Sequence, residues 1–252
     1  MSPPEGSVGH IKSVMMIPKE WNGEQDPSGW FISEKLNGVR AYWDGSQMMT
    51  MSGKTLAIPA QFTDSLPRDV CLEGELWIAY NQFNKLRSIL KRTNQDNIQD
   101  TSKLWEDVKY CVLDAPKHPG YYTERHAFAC RSISDCGSHI SMIPIEYCQG
   151  VNHLQTSLQQ IVNRKGQGVL LYHPHALYTP GRTDNLLVVK SYPETEVKFI
   201  ECNTNTSSFL CEHMNGQKCI VRCSGWDYIF PPLSGTMINV KQTRQTFKFL
   251  KK

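Results

Sequence analysis

Lys35 sits in the run Ser33-Glu34-Lys35-Leu36-Asn37-Gly38-Val39-Arg40, whose residue types and spacing can do chemistry. A lysine amine attacks only in its neutral form, so a site built on it must favour the unprotonated amine at the moment of attack. Gly38 permits a tight turn after the lysine, and Arg40, a rigid planar cation, can aim back at the same place. Lys-x-x-Gly-x-Arg also arises as an exposed hairpin lysine, so its weight comes from agreement with segments further along the chain. Leu72-Glu73-Gly74-Glu75-Leu76 puts two carboxylates on one face of a strand, because side chains alternate with period two. Paired acids suit sugar hydroxyls or a divalent cation, and flanking Leu72, Leu76 and Trp77 give them partly buried surroundings. Lys165-Gly166-Gln167-Gly168-Val169-Leu170-Leu171 is a glycine-bracketed turn into an apolar strand. Leu186-Leu187-Val188-Val189-Lys190 is an apolar strand ending on a lysine, a partner for phosphate.

Short strands must position these residues. Residues 30–32 and 39–43 are predicted as strands around a turn at Asn37-Gly38, and Asp44-Gly45 as a hairpin turn into 47–51. Further strands are expected at 70–79 and 108–114, and helices at 83–92 and 156–163, where apolar residues recur every three or four positions. Pro67, Pro116 and Pro119 punctuate loops. A boundary is expected near Tyr192-Pro193. Beyond it, 196–202, 209–211, 218–223 and 236–240 read as short strands, with turns at Asn215-Gly216 and Ser234-Gly235. That is the pattern of a small β-barrel, with the OB-fold as one candidate.

Composition restricts the setting. The chain has 252 residues, 40% of them hydrophobic and 20% charged, and a net charge of +3. A weakly basic total permits a nucleic-acid partner on one basic face without demanding it. No run approaches the roughly 18–20 apolar residues that would span a membrane. The nine cysteines are odd in number, and several fall in strand-like apolar runs, as in Tyr110-Cys111-Val112-Leu113. Buried free thiols in a reducing intracellular compartment are the simple expectation. Cys202, Cys211, His213, Cys219 and Cys223 carry zinc-ligating types without a Cys-x-x-Cys knuckle, so a zinc site is the minor alternative.

Taken in order, Lys35…Glu73-Gly74-Glu75…Leu113-Asp114…Gly166-Gln167-Gly168-Val169…Lys190 resembles the covalent nucleotidyltransferases, which include DNA ligases, RNA ligases and mRNA capping enzymes. The stretch Ser33 to Gly45 is most similar to small ATP-dependent DNA ligases of minimal architecture, and likeness continues through 30–53, 73–89, 110–116, 166–190 and 231–240. The resemblance implies an α+β fold. A mixed α/β nucleotidyltransferase (ATP-grasp-like) domain at 1–192, with a lead at 1–29, precedes an OB-fold barrel at 193–252.

It also implies the chemistry. The lysine takes AMP from ATP, passes it to the 5′-phosphate of a nick, and the 3′-hydroxyl then displaces it. Lys35 would be the nucleophile, with Glu34, Lys35, Arg40, Glu75, Leu113 and Lys190 around the nucleotide. Glu73 and Gln167 would hold Mg²⁺ or Mn²⁺. Arg40, Lys54, Lys85, Arg87, Lys91 and Arg92 would face nucleic acid, joined from the barrel by Lys241, Arg244, Lys248, Lys251 and Lys252. The implied partner is nicked duplex DNA, with RNA or a hybrid as the alternative, and the implied state is a monomer away from membranes.

This chain departs from the family pattern at several places. Asn37 stands for an aspartate, Met51 for an arginine, Leu113 for an aromatic residue that stacks on adenine, Gln167 for a glutamate and Val188 for a lysine, and the usual Pro-Arg-Phe ending is absent. An amide is a poorer cation ligand than a carboxylate. Two classes therefore stay open: an ATP-dependent ligase, and a catalytically degenerate nucleic-acid-binding relative that kept the fold. An mRNA guanylyltransferase is disfavoured by the continuation Arg40-Ala41-Tyr42-Trp43-Asp44-Gly45.

Overall fold

The computed structural model describes residues 14–95, 102–191, 194–242 and 247–249. The chain divides into two compact units between Lys190 and Ser191. The first unit begins with β1 (Met16–Glu20), β2 (Phe31–Glu34), β3 (Val39–Trp43), β4 (Met48–Thr50), α1 (Ala60–Thr63), β5 (Leu72–Trp77) and α2 (Phe83–Gln95). It continues through β6 (Lys109–Asp114), α3 (Tyr122–Ser132), β7 (Ile140–Met142), β8 (Ile145–Tyr147), α4 (Val151–Asn163), β9 (Gly168–Tyr172) and β10 (Gly181–Lys190). These strands form two five-stranded sheets, ordered β1-β10-β9-β2-β8 and β4-β3-β5-β6-β7.

Both faces of β9 and of the Leu186–Val189 stretch of β10 are buried, which explains why these stretches read as unbroken apolar runs. Val169, Leu171, Leu187 and Val189 pack with Leu154 and Ile161 of α4. Their alternates Leu170, Tyr172, Leu186 and Val188 pack with Met16 and Tyr122. Leu36, just past β2, meets Cys111 and Leu113 of β6 and Ile143, joining residues of the two sheets in one small cluster. Trp43, Leu72, Leu76, Tyr110 and Val112 centre the larger core beneath α2, with Leu86, Ile89 and Leu90 as the buried stripe of that helix.

Two glycines are required by close approach. A Cβ at Gly38 would strike the Leu76 carbonyl and lie 2.9 Å from Glu75 Cγ. Gly168 has φ +146°, and a Cβ there would collide with the carbonyl of Val189 and sit 3.1 Å from Lys190 Cα.

The second unit holds β11 (Glu194–Asn203), β12 (Ser208–Glu212), β13 (Lys218–Arg222), α5 (Gly225–Ile229), β14 (Met237–Gln242) and β15 (Phe247–Phe249). Its strands close into a barrel in the order β11-β12-β13-β15-β14 around Val197, Phe199, Phe209, Cys211, Val221, Ile238 and Val240. Cys211 pairs across the ladder with Cys219, and Cys202, Cys219 and Cys223 pack against this core. Among the described residues no group of three or more His, Cys, Asp or Glu has metal-binding geometry, and all nine cysteines are free thiols. Burial pushes the Cys211 thiol up to about 12, so it is an inert core group.

The structure corrects several expectations. Strand β1 lies within the expected lead at 1–29, where no strand was expected, because it pairs in parallel with β10, a partner 165 positions away at the Lys19–Asp184 ion pair. Helix α4 starts at Val151, before the expected 156, and α3 carries no apolar periodicity strong enough to mark it. Strand β15 completes the barrel from a stretch that reads as tail. Residues 1–13 of the lead, the expected boundary at Tyr192-Pro193, and Arg244, Lys251 and Lys252 lie outside the described residues, as do the side chains of Lys241 and Lys248.

Candidate active site

Strand β2 delivers Lys35. Its backbone N–H donates to the Gly168 carbonyl at 2.9 Å, continuing the β2–β9 ladder one residue past the strand. The side-chain Nζ donates to Gln167 Oε1 at 2.9 Å and to the Leu36 carbonyl at 3.3 Å. Lys35 and Gln167, far apart in sequence, thus face each other at a cavity of about 150 Å³ that is also lined by Asn37, Trp77, Tyr80 and Lys165.

The two acids of β5 share a face, as their spacing requires, but have different partners. Glu75 is buried at 7% exposure and accepts the Gly38 N–H at 2.5 Å, which fixes the turn after Lys35. Burial holds its carboxyl above the usual range, a rise that the Gly38 N–H, Lys35 and Arg40 reduce without cancelling. Glu73, 2% exposed, pairs with Arg40 through Oε1 and accepts the Tyr178 hydroxyl on Oε2. Arg40 also donates to the Met16 carbonyl at 3.2 Å, while its Nε is buried without a hydrogen-bond partner.

Glu34 accepts from the Tyr80 hydroxyl at 2.9 Å and from Arg164 at 3.3 Å. Lys190 ends β10 opposite Gly168 and lies 3.8 Å from Glu20.

Lys35, Gln167, Glu75, Arg40 and Glu73 are therefore brought into one connected group. Other expected residues are placed differently. Leu113 is 2% exposed and sealed among Leu36, Cys111 and Ile143. The expected metal ligands are turned onto protein donors: Gln167 holds Lys35, and both oxygens of Glu73 are engaged. Val188 lies at 4% exposure in the apolar cluster with Met16, Tyr122 and Leu170, and does not look onto a phosphate site. A lysine there would bury an ammonium among hydrocarbon. Val188→Lys is accordingly expected to destabilise the protein by roughly 3 kcal/mol or more, seen as a lower urea midpoint. A midpoint equal to that of the parent would overturn this placement.

On α2, Lys85 and Arg92 flank one side of the buried stripe, and Arg87 and Lys91 the other, as the helical period dictates. Lys85 pairs with Asp107 at 2.7 Å, and Arg87 lies over the Phe83 ring at 5.9 Å. Lys54 and Met51 are exposed in the turn after β4, away from this helix in the chain. The expected basic face is thus distributed over two sides of α2 and a separate turn.

Sequence reasoning missed Tyr178, Met16, Tyr80 and Arg164, which orient Arg40 and Glu34. None carries a local signal, since each acts through a contact distant in the chain. Trp77 was read only as a flanking apolar residue, although the period of two places it on the face of Glu73 and Glu75 and could have marked it. A broad concavity of about 1220 Å³ lies on the barrel, lined by residues such as His213, Lys218 and Arg222. It contains none of the residues grouped around Lys35.

No family model matches the chain. Over 186 residues it is 32% identical to a DNA ligase of Haemophilus influenzae, a match that covers 73% of this chain and 66% of that protein's length. Among solved structures it is similar to a Lig E DNA ligase described as binding DNA with a minimal scaffold, at 25% identity and TM-score 0.66, covering 94% of this chain and 98% of that one. The Chlorella virus DNA ligase-adenylate shares the fold at 15% identity and TM-score 0.58, covering 96% and 98%. The ATP-dependent DNA ligase of bacteriophage T7, solved with ATP, shares it at 13% identity and TM-score 0.55, covering 95% and 98%. The chain thus spans just under two thirds of that curated relative, and with an α/β unit, a closed barrel and Lys35 lining a cavity with Gln167, it is similar in sequence and fold to DNA ligases.

Proposed function

We propose that this chain seals nicks in duplex DNA through a lysine-AMP intermediate. The observation that carries the reading is the Lys35 amine, fixed by Gln167 and the Leu36 carbonyl, with Glu75 and Arg40 in the same connected group. The neutral amine of Lys35 attacks the α-phosphorus of ATP. An N–P bond forms, the bond to the bridging oxygen breaks, and pyrophosphate leaves. The 5′-phosphate of the nick then displaces Lys35 and takes the AMP. The 3′-hydroxyl attacks that 5′-phosphorus, expels AMP and closes the strand. Arg40, anchored by Glu73 and Met16, offers its buried Nε as a donor toward the nucleotide or the nick. Glu75, held by Gly38, presents its second oxygen for a ribose hydroxyl.

Among the described residues no three His, Cys, Asp or Glu gather to hold Mg²⁺ or Mn²⁺. A magnesium ion commonly arrives with the phosphates of its nucleotide, and the same mode is proposed for ATP here.

The test is incubation of the full chain with α-labelled ATP, Mg²⁺ or Mn²⁺ and nicked duplex DNA. Label on the protein, then on the DNA 5′-end, then in free AMP with a sealed strand is expected. RNA and hybrid nicks run in parallel decide the strand type. Absence of label under every ion would sink the enzymatic reading.

A binding-only relative is the second reading, favoured by the amide at Gln167 and the buried Val188. Under both readings nicked duplex should bind through phosphate contacts, so log affinity should fall linearly with log salt. Lys91→Glu with Arg92→Glu should weaken binding and flatten the slope by about one per lost contact, measured by fluorescence anisotropy. An unchanged slope would remove α2 from the interface.

A further inference from the structure

The base of ATP needs a flat apolar partner, and Leu113 does not present one. It has no ring, and it is sealed beneath Leu36, Cys111 and Ile143. Another side chain of the same sheet face does reach the cavity beside Lys35. Glu73, Glu75 and Trp77 alternate along β5, so the indole follows the two acids on one face. Trp77 packs on the outside of the Leu36–Leu113 cluster and lines the cavity together with Lys35.

The ring also has an aromatic neighbour. Tyr80 and Trp77 form a T-shaped pair, with centroids 5.4 Å apart and planes at 78°. The Tyr80 hydroxyl is tied to Glu34 at 2.9 Å, and Glu34 is bound in turn by Arg164. A T-shaped pair covers at most one face of the indole, and the part of the ring that lines the cavity can meet a ligand. The cavity, about 150 Å³, is of the size that takes one small aromatic ring. It leaves the sugar and phosphates of a nucleotide at the mouth. Asn37 and Asn81 line it as well and supply neutral donors and acceptors of the kind a heterocycle's edge requires.

We propose that Trp77 is the residue on which the nucleobase of ATP stacks in this chain, replacing the platform that Leu113 lacks and making Trp77 a determinant of nucleotide specificity. The inference rests on the adenylyl-transfer reading for its biological meaning, but it concerns binding of the base and can be tested apart from turnover.

The experiment compares equilibrium binding of labelled ATP with that of ribose 5′-triphosphate, which lacks a base, to the full chain and its variants. Covalent AMP labelling is followed separately. The parent chain should prefer ATP. Trp77→Leu should weaken ATP binding by roughly 5- to 100-fold, the range measured for loss of an aromatic stacking partner, and leave ribose triphosphate binding within about twofold. Trp77→Phe should keep most of the preference. Should Trp77→Leu fail to fold by circular dichroism, Trp77→Met carries the test, because it keeps apolar bulk without a π-face.

Equal losses for both ligands would mean that Trp77 only supports the fold, and the proposal would fall. Full preference retained in the folded Trp77→Leu or Trp77→Met protein would overturn it as well. A base preference that collapses in these variants while no AMP label forms would uphold the stacking role and reject the ligase reading. Label on the parent with no base preference would do the reverse. Binding of neither ligand would overturn both.

Discussion

Lys35→Ala should take up no label from α-labelled ATP, while the parent chain should, read as radioactivity on the denatured protein. No other group replaces the lysine as positioned. The amine is held 2.9 Å from Gln167, and its backbone is fixed by the Gly168 carbonyl. Lys165 also lines the cavity, but it sits in the turn before β9 with φ 69° and lacks this pair of anchors. Nucleophilic catalysis depends on placement of the attacking atom, and misplacement by about 1 Å can cost on the order of a hundredfold. Label persisting in Lys35→Ala would reassign the nucleophile. Sealing of DNA already carrying 5′-AMP should survive in Lys35→Ala to a measurable degree, because that step no longer needs the lysine nitrogen as nucleophile. Folding of the variant is thereby checked in the same experiment.

Arg125→Ala should be among the most destabilising single changes in the first unit, costing roughly 3–5 kcal/mol as expected when one partner of a buried pair is removed. Arg125 is 1% exposed and grips Asp114 with two hydrogen bonds, at 2.8 and 3.0 Å. Its remaining donor reaches the carbonyls of Gly120 and Ala176 at 3.1 and 2.7 Å. Truncation strands the Asp114 carboxylate and two carbonyls together. The guanidinium also lies 5.6 Å from the rings of both Tyr122 and Tyr178. Tyr178 bonds Glu73, which pairs with Arg40. The loss should therefore reach the active site as weaker AMP transfer even at temperatures where the protein stays folded. Thermal denaturation with a midpoint lower by roughly 10 °C is the expected result. Replacing the pair together, by Arg125→Met with Asp114→Leu, should recover much of the stability, since neither charge is then left unpaired. A stable Arg125→Ala protein would show that water enters and satisfies Asp114.

The local chemistry of the site was legible because it is written in short periods. The turn at Gly38, the shared face of Glu73 and Glu75, and the strand that ends on Lys190 follow from alternation and from the geometry a glycine allows. The helix α2 and most barrel strands were legible for the same reason, since their buried stripes recur at fixed spacing. The α+β class came from the resemblance that the ordered motifs carry, and the small barrel alone was read from strand spacing.

Partners remote in sequence were decided only by the tertiary structure. β1 has no amphipathic signature and exists because β10 offers it a parallel edge. Nothing around Gln167 says that its amide would lie on Lys35, or that Tyr178 would take an oxygen of Glu73. The departures from the family pattern divided along the same line. Their identities were fixed by the sequence, but their consequences depend on burial: Val188 is core, Leu113 is sealed, Gln167 touches the nucleophile and Met51 lies exposed in a turn. Alternation tells which residues share a face. Which faces are covered, and by what, is set by packing energy summed over elements distant in the chain, and that sum is not encoded in any one segment.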